Sequence, residues 1–155
     1  MLLPLIKGKG ENVTVLKIYF AASIRGGRDD IHIYQLLIKL LANYGNVLTE
    51  HIGDPSLVLE KSRTDQEIYR RDVSWIDQCD FVVAEVTNPS LGVGYEIAYA
   101  EARNKKILCL YRQTEGKRVS AMVLGNPNTE IAIVEYKNPD ILENILSQYF
   151  QPKKE

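Results

Sequence analysis

FVVAEVTNPSLGVGYEIAYA, residues 81–100, is the stretch that decides how this chain folds. Phe81–Val86 is a short, mostly apolar run and reads as a buried strand. Asn88, Pro89 and Ser90 break it, and from Leu91 onward the apolar residues return at helical spacing, which predicts a helix over 91–104. Gly92 lies one turn before Glu96 and Ala100 one turn after, so the three share a helix face. Glu96 therefore stands on a face almost bare of side-chain bulk, where a ligand could approach its carboxylate. The same glycines would also let the helix pack closely on a sheet with Glu96 solvated. The spacing alone leaves both readings open.

The strand-then-helix pattern repeats on either side. LKIYFAA (16–22) is a strand candidate, followed by the turn-rich SIRGGRDD and by apolar residues at helical spacing from Ile33 to Tyr44, with Gly45 as the expected stop. A short strand at Asn46–Thr49 and a loop at Asp54–Ser62 come next. Thr64 and Glu67 form a capping-box signature for a helix over about 65–78. After residue 104 the pattern predicts a strand over 107–112, a long connection over 113–130, a strand over 131–135 and a last helix over 140–150. Such alternation predicts an α/β fold, with a parallel sheet covered by helices on both faces. Residues 16–150 read as a single domain between two tails, 1–15 and 151–155.

Composition bounds the function classes. Hydrophobic residues make up 45% and charged residues 25%, and the formal net charge is -1, so nothing points to a nucleic-acid polymer or an anionic membrane as partner. The apolar run at the start is too short for a secretory signal or a membrane span. Cys79 and Cys109 read as small core residues of a reducing compartment, and no metal-ligand spacing occurs. These features predict an intracellular protein.

In open parallel sheets, ligands bind beyond the carboxyl ends of the strands, where strand order reverses. That rule gathers residues 19–28, 85–96 and those after Arg112 on one rim. In SIRGGRDD, Gly26 and Gly27 permit a tight turn just before a helix, a setting that suits an anion, to which Arg25 or Arg28 could add a charge. A plain structural turn has the same sequence, because neither GxxxxGK[ST] nor GxGxxG is present. Asp72 falls within the apolar stripe of Ile68, Trp75, Ile76 and Cys79, where a buried carboxylate calls for a function or a structural partner such as an arginine, unless the edge of the stripe reaches water there. Tyr19 stands near the carboxyl end of the first strand, where an aromatic serves a core as readily as a site. In the long connection, RVSAMVLG (118–125) offers Ser120 as an anion donor and Met122 as an apolar lid, or it is plain loop. His32 and His51 show no partner and are not taken as catalysts.

Taken together, YFAASIRGGRDD (19–30), YGNVLTEH (44–51), the Asp72 helix, DFVVAEVTNPSLGVGYE (80–96), KILCLYR (106–112) and RVSAM (118–122) resemble the 2'-deoxynucleoside 5'-phosphate N-hydrolases, relatives of the nucleoside 2-deoxyribosyltransferases. The resemblance spans Leu16–Phe150. It implies a three-layer flavodoxin-like fold with a five-stranded parallel sheet, no metal or cofactor, and a cytoplasmic or also nuclear homodimer with shared active sites. It implies hydrolysis of deoxynucleoside 5'-monophosphates to free base and 2-deoxyribose 5-phosphate. By matching motif, Glu96 is the implied nucleophile, Tyr19 the hydroxyl that positions it, and Asp72 the carboxyl group that orients the sugar or assists base departure. Ser23, Ile24, Arg25, Gly26, Gly27, Ser90 and Gly92 form the implied phosphate cradle, and Ser120, Ala121 and Met122 arrive from the second subunit. Ala22 stands where the family commonly has glycine, and residues 54–64 match poorly, which leaves base preference open. Base exchange by a transferase and silent nucleotide binding are the competing readings.

Overall fold

A computed structural model describes residues 15–150; the two tails expected at 1–15 and 151–155 lie, but for Val15, outside them. Five strands, β1 (Lys17–Ala21), β2 (Asn46–Val47), β3 (Phe81–Glu85), β4 (Lys106–Tyr111) and β5 (Ile131–Glu135), form one sheet in the order β2-β1-β3-β4-β5. Every pairing is parallel. This is the flavodoxin-like order, and its reversal point lies between β1 and β3.

Alternation along the strands sorts residues between two cores. Ile18, Phe20, Val83, Leu108 and Leu110 point to one face, where α1 (Ile31–Leu41) and α6 (Leu142–Tyr149) cover them. Tyr19, Ala21, Val82, Ala84 and Ile107 point to the other, against α3 (Asp65–Gln78) and α4 (Leu91–Ala102). Tyr19 pairs in register with Val82 and is buried. The pleat thus aims its hydroxyl at the layer that carries Asp72 and Glu96.

Three expectations need correction. The segment 54–62 is not plain loop: it contains α2 (Val58–Lys61), entered through Leu57 at a φ of 51°. The connection 113–130 likewise contains one helical turn, α5 (Ala121–Leu124), capped by Ser120. Gly45 does not stop α1, which ends at Leu41 with Ala42 as its cap. Its small size serves packing, since a Cβ there would collide with the Leu16 carbonyl oxygen. The Thr64–Glu67 capping box forms as predicted.

Candidate active site

The site grows from the carboxyl ends of β1 and β3. Ser90 caps α4, its Oγ accepting from the Val93 N–H at 3.4 Å, and the helix then carries Glu96 back over the end of β1. There the Tyr19 hydroxyl donates to Glu96 Oε1 at 2.5 Å. Burial raises the Glu96 pKa to about 8, against the Tyr19 hydrogen bond, with Asp72 and Glu60 adding repulsion and Arg71 opposing them. Tyr19 itself is held well above its ordinary range, chiefly by burial and then by the neighbouring Glu96 charge. A carboxyl group with one strong donor and an unfavourable charge can serve as an attacking group once ionised.

Beside this pair the β1–α1 loop folds against the start of α4. A Cβ on Gly26 would lie 2.6 Å from the Pro89 carbonyl oxygen and 2.8 Å from Ser23 Oγ, so only glycine fits this approach. Gly27 has a φ of +117°, a conformation that side chains rarely adopt. Asn88 Nδ2 ties the turn down by donating to the carbonyls of Gly26 at 3.3 Å and Gly27 at 2.9 Å. Ser23 is buried, and its Oγ has no hydrogen-bond partner among the described residues. The first turn of α4 faces the same space, so unpaired N–H groups and the positive helix end meet the turn. Arg25 reaches over this mouth in an exposed pair with Asp65 at 2.6 Å. Arg28 is used differently, donating to the carbonyls of Ile52 and Asp54 at 2.6 and 3.2 Å. Of the two arginines, only Arg25 lines the cavity.

The third wall is acidic. Asp72 is not a lone buried carboxylate: Arg71 Nε donates to its Oδ1 at 2.8 Å. Arg71 Nη2 simultaneously donates to Glu60 Oε1 at 2.5 Å, and His51 Nε2 lies 2.9 Å from that same oxygen. His51, for which the sequence shows no partner, therefore has one. Burial raises the pKa of Asp72, the Arg71 contacts oppose the rise, and Glu60 adds to it. Burial lowers that of His51, as does Arg71, while Glu60 works the other way.

These elements enclose a cavity of about 550 Å³, within the range of small-molecule sites. Ile24, Gly26, Glu60, Asp72, Ser90, Gly92 and Glu96 are among the residues that line it. Ser120, Ala121 and Met122 do not line it, and Met122 is 84% exposed. Cys79 and Cys109 are buried thiols whose pKa values burial raises to about 11 and about 12. Among the described residues, no group of three or more His, Cys, Asp or Glu is placed to hold a metal ion, and no helix is long and apolar enough to cross a membrane.

A family model described as nucleoside 2-deoxyribosyltransferase matches residues 18–131, a span that holds every wall of this cavity. The chain belongs to the nucleoside 2-deoxyribosyltransferase family. Within that family it is 50% identical over 138 residues to the 5-hydroxymethyl-dUMP N-hydrolase of Danio rerio, covering 88% of this chain and 96% of that protein. It is 44% identical over 142 residues to the 5-hydroxymethyl-dUMP N-hydrolase of Tetraodon nigroviridis, covering 90% and 100%. Among solved structures, the Clostridium botulinum CMP N-glycosidase matches with a TM-score of 0.65 at 20% identity, over 86% of this chain and 98% of its own. That likeness is one of fold.

Sequence reasoning missed Asn88, Arg71 and Glu60 in this family member. Asn88 reads as a turn residue, and its side-chain bonds cross 61 and 62 residues of sequence. Arg71 looks like one of the solvated charges of an exposed helix edge. Only α2, itself unpredicted, brings Glu60 to it.

Proposed function

We propose that the protein hydrolyses the N-glycosidic bond of 2'-deoxynucleoside 5'-monophosphates to free base and 2-deoxyribose 5-phosphate, with Glu96 as nucleophile. The carrying observation is the Tyr19–Glu96 pair, a singly held carboxyl group facing a cavity that ends in a glycine turn and a helix N-terminus. The named substrate of the two fish relatives, 5-hydroxymethyl-dUMP, is itself a deoxynucleoside monophosphate. The phosphate rests against Ser23, Ile24, Arg25, the Gly26–Gly27 turn, Ser90 and Gly92, far from the bond that reacts. Such remote contacts supply orientation and binding energy for the step at C1'.

In the productive form Glu96 is ionised and Asp72 holds a proton, the two carboxyls titrating as a pair. Glu96 attacks C1' as the bond to the base nitrogen breaks, through an oxocarbenium-like transition state. The bonding electrons leave with the base, which takes the Asp72 proton. Asp72, now ionised, removes a proton from the water that attacks the C1' ester, and Glu96 departs as carboxylate. Without a 2'-hydroxyl to withdraw electrons, the sugar cation forms more readily. A second copy of the chain completes the site with Ser120, Ala121 and Met122, a reading supported by the exposure of Met122 and by the absence of all three from the walls of this chain's own cavity.

Chromatography of the base released from deoxynucleoside monophosphates, 5-hydroxymethyl-dUMP among them, tests this reading. Ribonucleotides and unphosphorylated deoxynucleosides run alongside, each with and without an acceptor base. Release from the deoxy-monophosphates alone is expected. Base exchange on unphosphorylated deoxynucleosides would make the protein a transferase, and silence across the panel would leave a binding module.

A further inference from the structure

Arg71 meets two carboxylates along one edge of its guanidinium. Nε donates to Asp72 Oδ1 at 2.8 Å and Nη2 to Glu60 Oε1 at 2.5 Å, while Nη1 is buried without a partner. The Nε–Nη2 edge is the one that grips a single carboxylate with two parallel bonds when nothing else competes for it. Here Glu60 competes. Asp72 Oδ2 is left without a hydrogen-bond partner among the described residues, on a wall of the cavity. We propose that Glu60 is a positioning residue for the reaction: it holds Nη2 of Arg71, so that the second oxygen of Asp72 stays free to face the substrate.

The clamp is built from three segments. Glu60 comes from α2, Arg71 and Asp72 from α3, and His51 from the turn after β2, where its Nε2 lies 2.9 Å from Glu60 Oε1. Trp75 backs the cluster, its ring 5.7 Å from that of His51 and 4.9 Å from the Arg71 guanidinium. The Glu60 and Arg71 side chains are only 10% and 11% exposed, so water does not dissolve the pair. The charged or titratable groups that bear on Asp72, Glu96 and His51 in this cluster are Tyr19, Arg28, Glu60 and Arg71. Removing the Glu60 charge lowers the Asp72 pKa twice over, by lifting a repulsion and by freeing Arg71 to close on it. Glu96 loses the Glu60 repulsion as well, but only Asp72 gains the second hydrogen bond of the freed Nη2, so the proton resides less on Asp72 while Glu96 is charged, and the productive form becomes rarer. This inference rests on the role given to Asp72 above.

Glu60→Gln tests it. With 5-hydroxymethyl-dUMP, kcat should fall by about tenfold with KM within twofold of wild type, and the lower apparent pKa of the kcat profile should move to lower pH. The double variant Glu60→Gln with Arg71→Gln, which removes the cation as well, should recover kcat to within about threefold of wild type. A single variant with unchanged kcat and pH profile, or a double variant as slow as the single, overturns the proposal. If Glu60→Gln does not fold, Glu60→Asp withdraws the carboxylate from Nη2 while keeping its charge, and a smaller kcat loss of about threefold, from the freed Arg71 alone, is expected, an unchanged kcat overturning the proposal. If wild type releases no base from any nucleotide, the catalytic reading fails by itself. Titration of the Asp72 carboxyl carbon by NMR, in wild type and in Glu60→Gln, then still decides whether Glu60 governs Asp72: a lower pKa in the variant supports the inference and an unmoved one overturns it.

Discussion

Glu85 and Glu96 are two glutamates at the same end of the sheet, the first buried and the second half-buried, both with pKa values raised chiefly by desolvation, and they have opposite uses. Glu85 closes β3 at 0% exposure and is fully partnered. It accepts from the Thr87 hydroxyl, from the Thr87 N–H at 3.3 Å and from the Tyr136 hydroxyl at 2.9 Å, while the Arg112 N–H donates to Thr87 Oγ1 at 2.9 Å behind it. Among the described residues Glu96 accepts from Tyr19 alone, and it lines the cavity. A perturbed pKa therefore does not mark a site in this protein; an acceptor left free toward empty space does. Glu85 is the keystone that fixes the rim, and Glu96 is the group that the rim presents.

Substitution breaks the comparison most sharply. Glu96→Gln should lower turnover by at least about a thousandfold, measured as base release, while a non-hydrolysed monophosphate still protects the protein against heat. Activity within a few-fold of wild type would remove Glu96 from the nucleophile role. Glu85→Gln should do the reverse. Its amide nitrogen must face a donor, so the fold loses about 1–3 kcal/mol, while kcat per folded molecule stays within a few-fold. Denaturant titration and active-site counting separate the two effects, and a stable but inactive Glu85→Gln protein would put Glu85 in the chemistry.

Stability offers a second contrast, and its sign depends on pH. The Glu96 pKa of about 8 lies above the unfolded carboxyl value, so its ionisation opposes folding. The penalty is absent below the unfolded pKa, near 4.3, grows as pH rises, and is complete above about 8. Glu96→Gln should therefore melt with wild type at pH 4 and above it at pH 8, by about 2–4 kcal/mol at the upper end. A gap that does not change with pH would mean that Glu96 is not charged at a cost.

The same contrast explains what was legible in the sequence. The apolar strands, the capping box at Thr64–Glu67 and the glycine turn are local patterns, and they gave the sheet, its helices and the Glu96 face. Tyr19 and Glu96 were legible as candidates because one ends a strand and the other lies on a bare helix face. Their pairing across 77 residues depends on which way the strand pleat turns, and no local pattern carries that. Glu85 reads only as part of a buried strand, because its three donors come from Thr87 and from Tyr136, the latter 51 residues away. The Glu60 clamp was hidden for another reason. It hangs on a four-residue helix entered through a positive φ at a leucine, where propensity argues against the conformation that forms.

The smallest expected effect is also the most specific. Tyr19→Phe removes the donor that favours the charged form of Glu96 but leaves a ring of nearly the same shape in the buried layer. The Glu96 pKa should then rise above its value of about 8. Because Tyr19 is itself held well above its ordinary range, its own ionisation does not intrude on that interval. The upper apparent pKa of the kcat profile should move to higher pH, and the plateau should drop by about tenfold as the form with a charged Glu96 becomes scarcer. Glu60→Gln moves the lower apparent pKa down, so the two variants widen the profile from opposite ends. A Tyr19→Phe enzyme that is slow but keeps the wild-type profile would show that the hydroxyl orients Glu96 without setting its charge. The difference between Glu85 and Glu96 would then rest on access to the cavity alone.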